Sequence, residues 1–293
     1  MQFKPIPAEN IKTARELCEP VCIPMFVGKD GTYGHHAMGL LFAVADSHFL
    51  VTCRDAVHDV VSRGAGLWIP DDSNYGKTVA LTPKFHFSKS DMFDLAVMKL
   101  PEDFVGYFCE HRFARAIDTH SSFQPEGISC AMYGILATES ETWNADVSKD
   151  EEKLKTTVFI GRSSTVETPD DYIDNDLHFL IGADNLICNS EEDGREIDAP
   201  KSFRGLSGTP VFAVNDNPFE PNWNAHDCKI IGIQSSVVSL HQQKRIVMKV
   251  MRFEGVFYII RQLFPTVAET LDKLAPITQT KIARKLILPG DAV

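Results

Sequence analysis

Ten consecutive residues carry the densest chemistry in the chain: Phe203-Arg204-Gly205-Leu206-Ser207-Gly208-Thr209-Pro210-Val211-Phe212. Gly205 and Gly208 bracket a serine, and glycine lets a backbone turn sharply and approach a neighbour closely. In such a turn the N–H groups of Gly205 and Ser207 converge on one point, the arrangement that stabilises an oxyanion. The apolar run that follows Pro210 reads as the strand leading out of the turn. A serine hydroxyl is a weak nucleophile, so catalysis at Ser207 requires a base able to accept its proton near neutral pH. Without one, the same residues make a glycine-rich β-turn with an incidental serine.

The pattern Gly-x-Ser-Gly-x-Pro over residues 205–210 resembles the nucleophile motif of trypsin-like (chymotrypsin-fold) serine peptidases, particularly bacterial ones. Three other stretches occur in that family's order. His48-Phe49-Leu50-Val51-Thr52-Cys53-Arg54-Asp55 is similar to the strand and turn that end in the catalytic histidine. Asp94-Leu95-Ala96-Val97-Met98-Lys99-Leu100 is similar to the strand opening with the catalytic aspartate, and Ile230-Ile231-Gly232-Ile233-Gln234-Ser235 to the strand lining the substrate cleft. The resemblance spans residues 20 to 262. It implies Ser207 as nucleophile, Asp94 as orienting carboxylate, Gly205 and Ser207 as oxyanion donors, and Gln234, Ser235 and Ser236 along the cleft. Lys201, six residues before Ser207, falls where trypsins place the base of the specificity pocket, and a lysine there favours an acidic side chain.

The pattern breaks at Asp55, which stands where the resemblance requires histidine. Histidine serves as base because its pKa lies near about 6.5 and its ring spans the gap between serine and carboxylate. Aspartate is shorter, and its reference pKa is about 3.9. Two facing carboxylates would raise one pKa, so a proton shared between Asp55 and Asp94 is expected. His58, one helical turn after Asp55, is the alternative base. His226 and His241 belong to the second half, on the wrong side of the cleft. Leu206 replaces the aspartate of animal trypsins, which excludes their zymogen activation, and Val237 follows Ser236 where many relatives carry glycine.

Two functions follow: a serine endopeptidase impaired or altered at its base, or an inactive relative that binds a peptide or protein without cutting it. An α/β-hydrolase is excluded because Thr209 occupies the last glycine of its Gly-x-Ser-x-Gly elbow. A cysteine nucleophile is excluded by Ser207 itself.

The formal net charge of −11 over 293 residues argues against a nucleic-acid partner. No run has the length of a membrane span, and the N-terminus lacks an apolar signal-peptide core. Seven scattered cysteines suit reduced thiols and a cytoplasmic location. Cys18 and Cys22 have no second ligand pair, and the adjacent His35 and His36 point to opposite sides of an extended chain, so neither a metal nor a cofactor is expected. The oligomeric state is open.

Stepping along the chain, residues 8–19 have helical spacing up to Pro20, and residues 55–62 form a helical turn or two. Strands are expected at 21–27, 37–44, 48–52, 67–70, 79–81, 94–100, 128–136, 156–160, 177–181, 228–238 and 246–251. Residues 140–155 and 185–202 read as polar loops, 253–263 and 267–274 as helices. The expected fold is all-β: two antiparallel six-stranded β-barrels, residues 20–105 and 125–252, with an N-terminal helix and a C-terminal helix and tail (253–293), in a single unit. A triad assembled between the barrels then takes its nucleophile from one and its base from the other.

Overall fold

The computed structural model describes residues 6–274 except 30–31, 63, 73–76, 82–83, 88–91, 121–123, 125, 137–142, 145–155, 167–171, 184–185, 191–195, 215–222, 225–227 and 241–244. His226, His241 and the tail from residue 275 therefore lie outside the described residues.

Helix α1 (Ala8–Cys18) precedes the first sheet. That sheet contains β1 (Cys22–Lys29), β2 (Thr32–Val44), β3 (Ser47–Thr52), β4 (Gly66–Pro70), β5 (Thr78–Leu81), β6 (His86–Phe87) and β7 (Ala96–Lys99), with α2 (Arg54–Ser62) between β3 and β4. The strand order is β5-β4-β1-β2-β3-β7-β6. After α3 (Glu102–Val105), the short β8 (Ala114–Arg115) joins β2 in parallel.

The second sheet begins at β9 (Ser129–Ile135). The next pair of strand residues, β10 (Trp143–Asn144), returns to the first sheet and pairs with β2. Then follow β11 (Thr156–Ser164), β12 (His178–Gly182), β13 (Ile187–Ser190), β14 (Glu196–Ile197), β15 (Pro210–Ala213), β16 (Lys229–Leu240) and β17 (Arg245–Arg252). The order β12-β17-β16-β15-β9-β11, closed by pairing of β11 with β12, makes a six-strand ring.

The chain is thus mostly β, with one closed six-strand barrel and one half-barrel sheet, and its helices are few. Two expected polar loops carry strand structure. Residues 140–155 include β10, and residues 185–202 include β13 and β14, which extend the ring outward from β11. Both pairings depend on a partner distant in sequence, or on a two-residue match too short to leave an alternating pattern.

Inside the ring, Met132, Phe159, Phe179, Met248 and Val250 form a closed apolar core. Helices α4 (Glu254–Leu263) and α5 (Pro265–Leu274) cover the first sheet. Phe253 and Phe257 set their rings against Phe42 of β2, at centroid separations of 5.4 and 6.0 Å. Burying side chains of this size stabilises the fold by about 1.5–3 kcal/mol each. At Gly255 there is no room for a side chain, because the Phe93 ring occupies the place of a Cβ. That contact fixes the segment containing Asp94 against α4. Among the described residues, no helix is long and apolar enough to cross a membrane.

Candidate active-site cleft

The turn around Ser207 has the geometry its glycines predict. Gly205 and Gly208 adopt φ values of +96° and +93°, a region that L side chains rarely enter. A Cβ at Gly205 would lie 2.7 Å from the Ile135 carbonyl oxygen and 2.8 Å from the His35 ring. A Cβ at Gly208 would collide with the Met38 carbonyl and the Thr52 hydroxyl. The turn is tied down by Met38 N–H donating to Ser207 O (2.8 Å), Gly208 N–H to Gln234 O (2.8 Å) and Thr209 N–H to Leu206 O (2.9 Å). Leu206 is fully buried in the core of the ring, packed on Gly134, so an apolar anchor holds the turn where animal trypsins use an ion pair. Among the described residues, the N–H groups of Gly205 and Ser207 donate to no backbone carbonyl. Both donors remain available to an outside oxygen.

Ser207 Oγ donates to the Ser235 carbonyl at 3.2 Å. Ser235 occupies a bulge in β16, where the register against β17 shifts between Gln234 and Ser236. A bulge re-aims a strand locally, and Ser235 Oγ here reaches the Lys249 carbonyl (3.3 Å).

Asp94 is 4% exposed and precedes β7 by two residues. Its Oδ1 accepts the backbone N–H of Asp55 at 3.0 Å. Burial, and then the negative charge of Asp55, push Asp94 up to about 6, against the bond from Asp55 N–H and the charges of Lys249 and Arg54. Lys249 is a buried cation on β17, directly opposite Ser236. The neighbouring Cys53 thiol donates to Gln234 O at 3.0 Å, and burial raises its pKa far above the usual thiol range, which leaves it unreactive.

The expected proton shared by Asp55 and Asp94 is not formed. Asp55 lies in the first turn of α2 with its side chain 72% exposed, and its Oδ1 is 3.3 Å from Arg54 Nη2. It meets Asp94 through its main chain. His58 is likewise not placed as a base: it is exposed on α2, its ring edge-on to Phe87 at 5.9 Å, and it does not line the cavity beside Ser207. The geometry of α2 turns residue 58 toward β6 while residue 55 faces the cleft.

That cavity, of about 630 Å³, brings together Asp55, Lys201, Ser207, Gln234, Ser235 and Ser236. Arg204, Val237 and Ile246 also line it, Arg204 being the residue sequence reasoning passed over. No histidine among the described residues lines it. Two imidazoles lie close by. His36 Nε2 is 2.8 Å from the Ala56 carbonyl, beside the start of α2. His35 is buried beneath Gly205 against Phe26, and burial pushes it down to about 4. Alternation along β2 separates the two rings, the one signal in the sequence for their different neighbours.

Three buried groups and the half-buried Glu254 have the most displaced pKa values among the carboxyls and imidazoles, and they are expected to dominate the pH response of folding. His35 and His178 are both lowered to about 4 by burial, so their contribution is complete above about 6.5 and is lost as pH falls toward 4. Asp94 and Glu254 are raised by burial to about 6 and about 7, so their contribution is present at low pH and is lost as pH rises through those values. The two pairs oppose each other, and urea-unfolding stability is expected to be nearly flat between pH 4.5 and 6.5. Glu254→Gln removes one opposing group, so stability should then climb with pH by on the order of 1–2 kcal/mol across that window. A steep slope in the unmodified protein would contradict this balance.

No family model matches the sequence, and no curated protein does. Among solved structures, the chain is similar to a thermostable serine protease, AL20, from an extremophilic microorganism, at 14% identity over 85% of this chain and 95% of that one (TM-score 0.45). It is similar to Deg5 at 12% identity over 85% and 91% (TM-score 0.45). A third similar structure is a Glu endopeptidase in complex with MPD, at 12% identity over 82% and 89% (TM-score 0.43).

Proposed function

We propose that this chain is a peptide-binding protein built on a serine-peptidase architecture, with a nucleophile position, an orienting carboxylate and an oxyanion turn but no base. The observation that carries this reading is the state of Ser207: its hydroxyl donates to the Ser235 carbonyl, and the residue at the base position is Asp55, whose carboxylate sits with Arg54. Loss of the histidine in a comparable enzyme costs about 10⁶ in kcat, or roughly 8 kcal/mol. The means of binding remain. Gly205 and Ser207 offer two N–H donors to a peptide carbonyl. β15 and the turn before it hold β16 through Gln234, and among the described residues no strand pairs with that edge of β16 from Ser236 onward, which leaves it for an extended peptide strand. A reducing compartment such as the cytoplasm fits seven cysteines that are all free thiols.

The test is to incubate the protein with a fluorescent peptide mixture and follow anisotropy and cleavage products in the same sample. Binding without products supports the proposal. Products that vanish in Ser207→Ala would establish an endopeptidase working through Ser207 and Asp94 instead.

A further inference from the structure

A second cavity, of about 750 Å³, lies at the end of β2 and β3 away from Ser207. The Ser207 turn meets these strands at Met38 and Thr52, whereas this cavity opens beside Val44, Asp46 and His48. Its volume falls in the range of ligand-binding cavities, about 300–1,000 Å³. Val44, Phe108 and Phe113 give it a buried apolar floor, and Ile117, 69% exposed, stands at its edge. The other exposed large apolar side chains among the described residues are Tyr172, and Val237 and Ile246, which line the Ser207 cavity. An exposed isoleucine continuous with an apolar hollow marks a surface made to be covered. The charges around the hollow are unequal. Glu110 pairs with Arg115 at 2.6 Å, which leaves Asp46 with no ion pair among the described residues. The Asp118 carboxylate, next to Ile117, accepts the Arg115 backbone N–H at 2.8 Å and likewise has no ion pair among the described residues. This surface suits an occupant that is apolar and positively charged.

The chain itself contains such a segment. Residues 281–288 read Lys-Ile-Ala-Arg-Lys-Leu-Ile-Leu, three cations among four large apolar side chains, in a chain of net charge −11. The segment also starts within reach. α5 packs against β2 and against the helical turn Ala116–Asp118, which carries Ile117. The six residues 275–280 that follow α5 span up to about 20 Å when extended. α5 is itself about 15 Å long, so the connector covers the distance whichever of its turns meets residues 116–118. We infer that the cavity takes residues 281–288 of the same chain. The apolar side chains of the segment cover Ile117 and fill the hollow, and its cations meet Asp46 and Asp118. Docking ties the β2–β3 turn to residues 105–117 across one cavity.

The experiment is hydrogen exchange of the full chain, read on peptides covering residues 281–288 and 43–48. Residues 281–288 should exchange at least about tenfold more slowly than in Asp46→Lys combined with Ile117→Lys. Both substituted residues are exposed, and unchanged exchange in β9 shows that the fold is intact. Asp46→Lys alone, at a turn outside the core, carries the same test with a smaller loss of protection. Adding Lys281→Glu, Arg284→Glu and Lys285→Glu to the double variant should bring the protection back, and no recovery would overturn the charge pairing. Unprotected exchange of residues 281–288 in the unmodified protein would overturn the inference, and so would protection that ignores both cavity substitutions. Protection that rises with protein concentration would assign the cavity to the segment of a second copy and overturn docking within one chain.

Discussion

Asp55→His is expected to make Ser207 react with a fluorophosphonate probe at least about 10³ times faster than in the unmodified protein, the lower end of what a restored base contributes. The scaffold for the base is already in place. Residue 55 begins α2, lines the cavity with Ser207, and donates its backbone N–H to Asp94 Oδ1 at 3.0 Å. An imidazole is longer than an aspartate side chain and carries two nitrogens, one for the serine and one for the carboxylate. Exchanging the carboxylate for a ring also removes the second cause of Asp94's raised pKa, so Asp94 is held ionised more firmly and can orient the ring. The proton that Ser207 now gives to the Ser235 carbonyl becomes available to a true acceptor. The control is the same histidine variant carrying Ser207→Ala, which should stay unlabelled. Failure of Asp55→His to label would separate Ser207 from Asp94 as members of one site. Labelling of the unmodified protein would show that another group activates the serine, with His36 the first to replace.

Gly208→Ala is expected to destabilise the protein by about 4 kcal/mol or more, read as a large drop in the urea midpoint, or to prevent folding. Two costs combine. The backbone at 208 sits at φ +93°, unfavourable for any residue with a Cβ, and the added methyl would overlap the Met38 carbonyl and the Thr52 hydroxyl. Neither neighbour can yield cheaply. Thr52 Oγ1 donates to that same carbonyl at 2.7 Å, and Met38 N–H holds Ser207 O. Gly64→Ala is the comparison: it too has a positive φ, +66°, but nothing lies within 4 Å of its Cβ, so only the backbone cost of about 1–2 kcal/mol applies. Equal losses for the two variants would mean that the contact across the turn contributes nothing.

The site could be read from the sequence where its geometry is local. Gly205, Ser207 and Gly208 announce the turn because only glycine tolerates the torsions it requires, and they lie within four residues of one another. The β-rich architecture was legible from alternating apolar runs. What escaped was set by pairing across long distances. β13 and β14 lie in a stretch that reads as polar, and they become strands through β11. The half-barrel form of the first unit depends on which strand edges meet, and no single strand carries that information. Lys249 stands in the run Arg-Ile-Val-Met-Lys-Val-Met-Arg as an ordinary exposed lysine, yet register places it opposite Ser236, buried and close enough to influence Asp94. Asp55 was recognised as the break in the pattern. The contact of its side chain with Arg54 belongs to the start of α2 and not to the residue type.

The bond from Met38 N–H to Ser207 O also governs when the site comes into being. It joins a strand of the first sheet to a turn of the second, and Gly208 has to seat between Met38 and Thr52 for it to form. Contacts between segments so far apart in sequence are slow to close, because the loop entropy is lost before the contact gives anything back. The turn around Ser207 is therefore expected to be fixed late in folding, after both sheets are in place. On that expectation a partly folded chain carries Ser207 before the turn is held by Met38, and the cavity takes its final shape in the step that completes the fold.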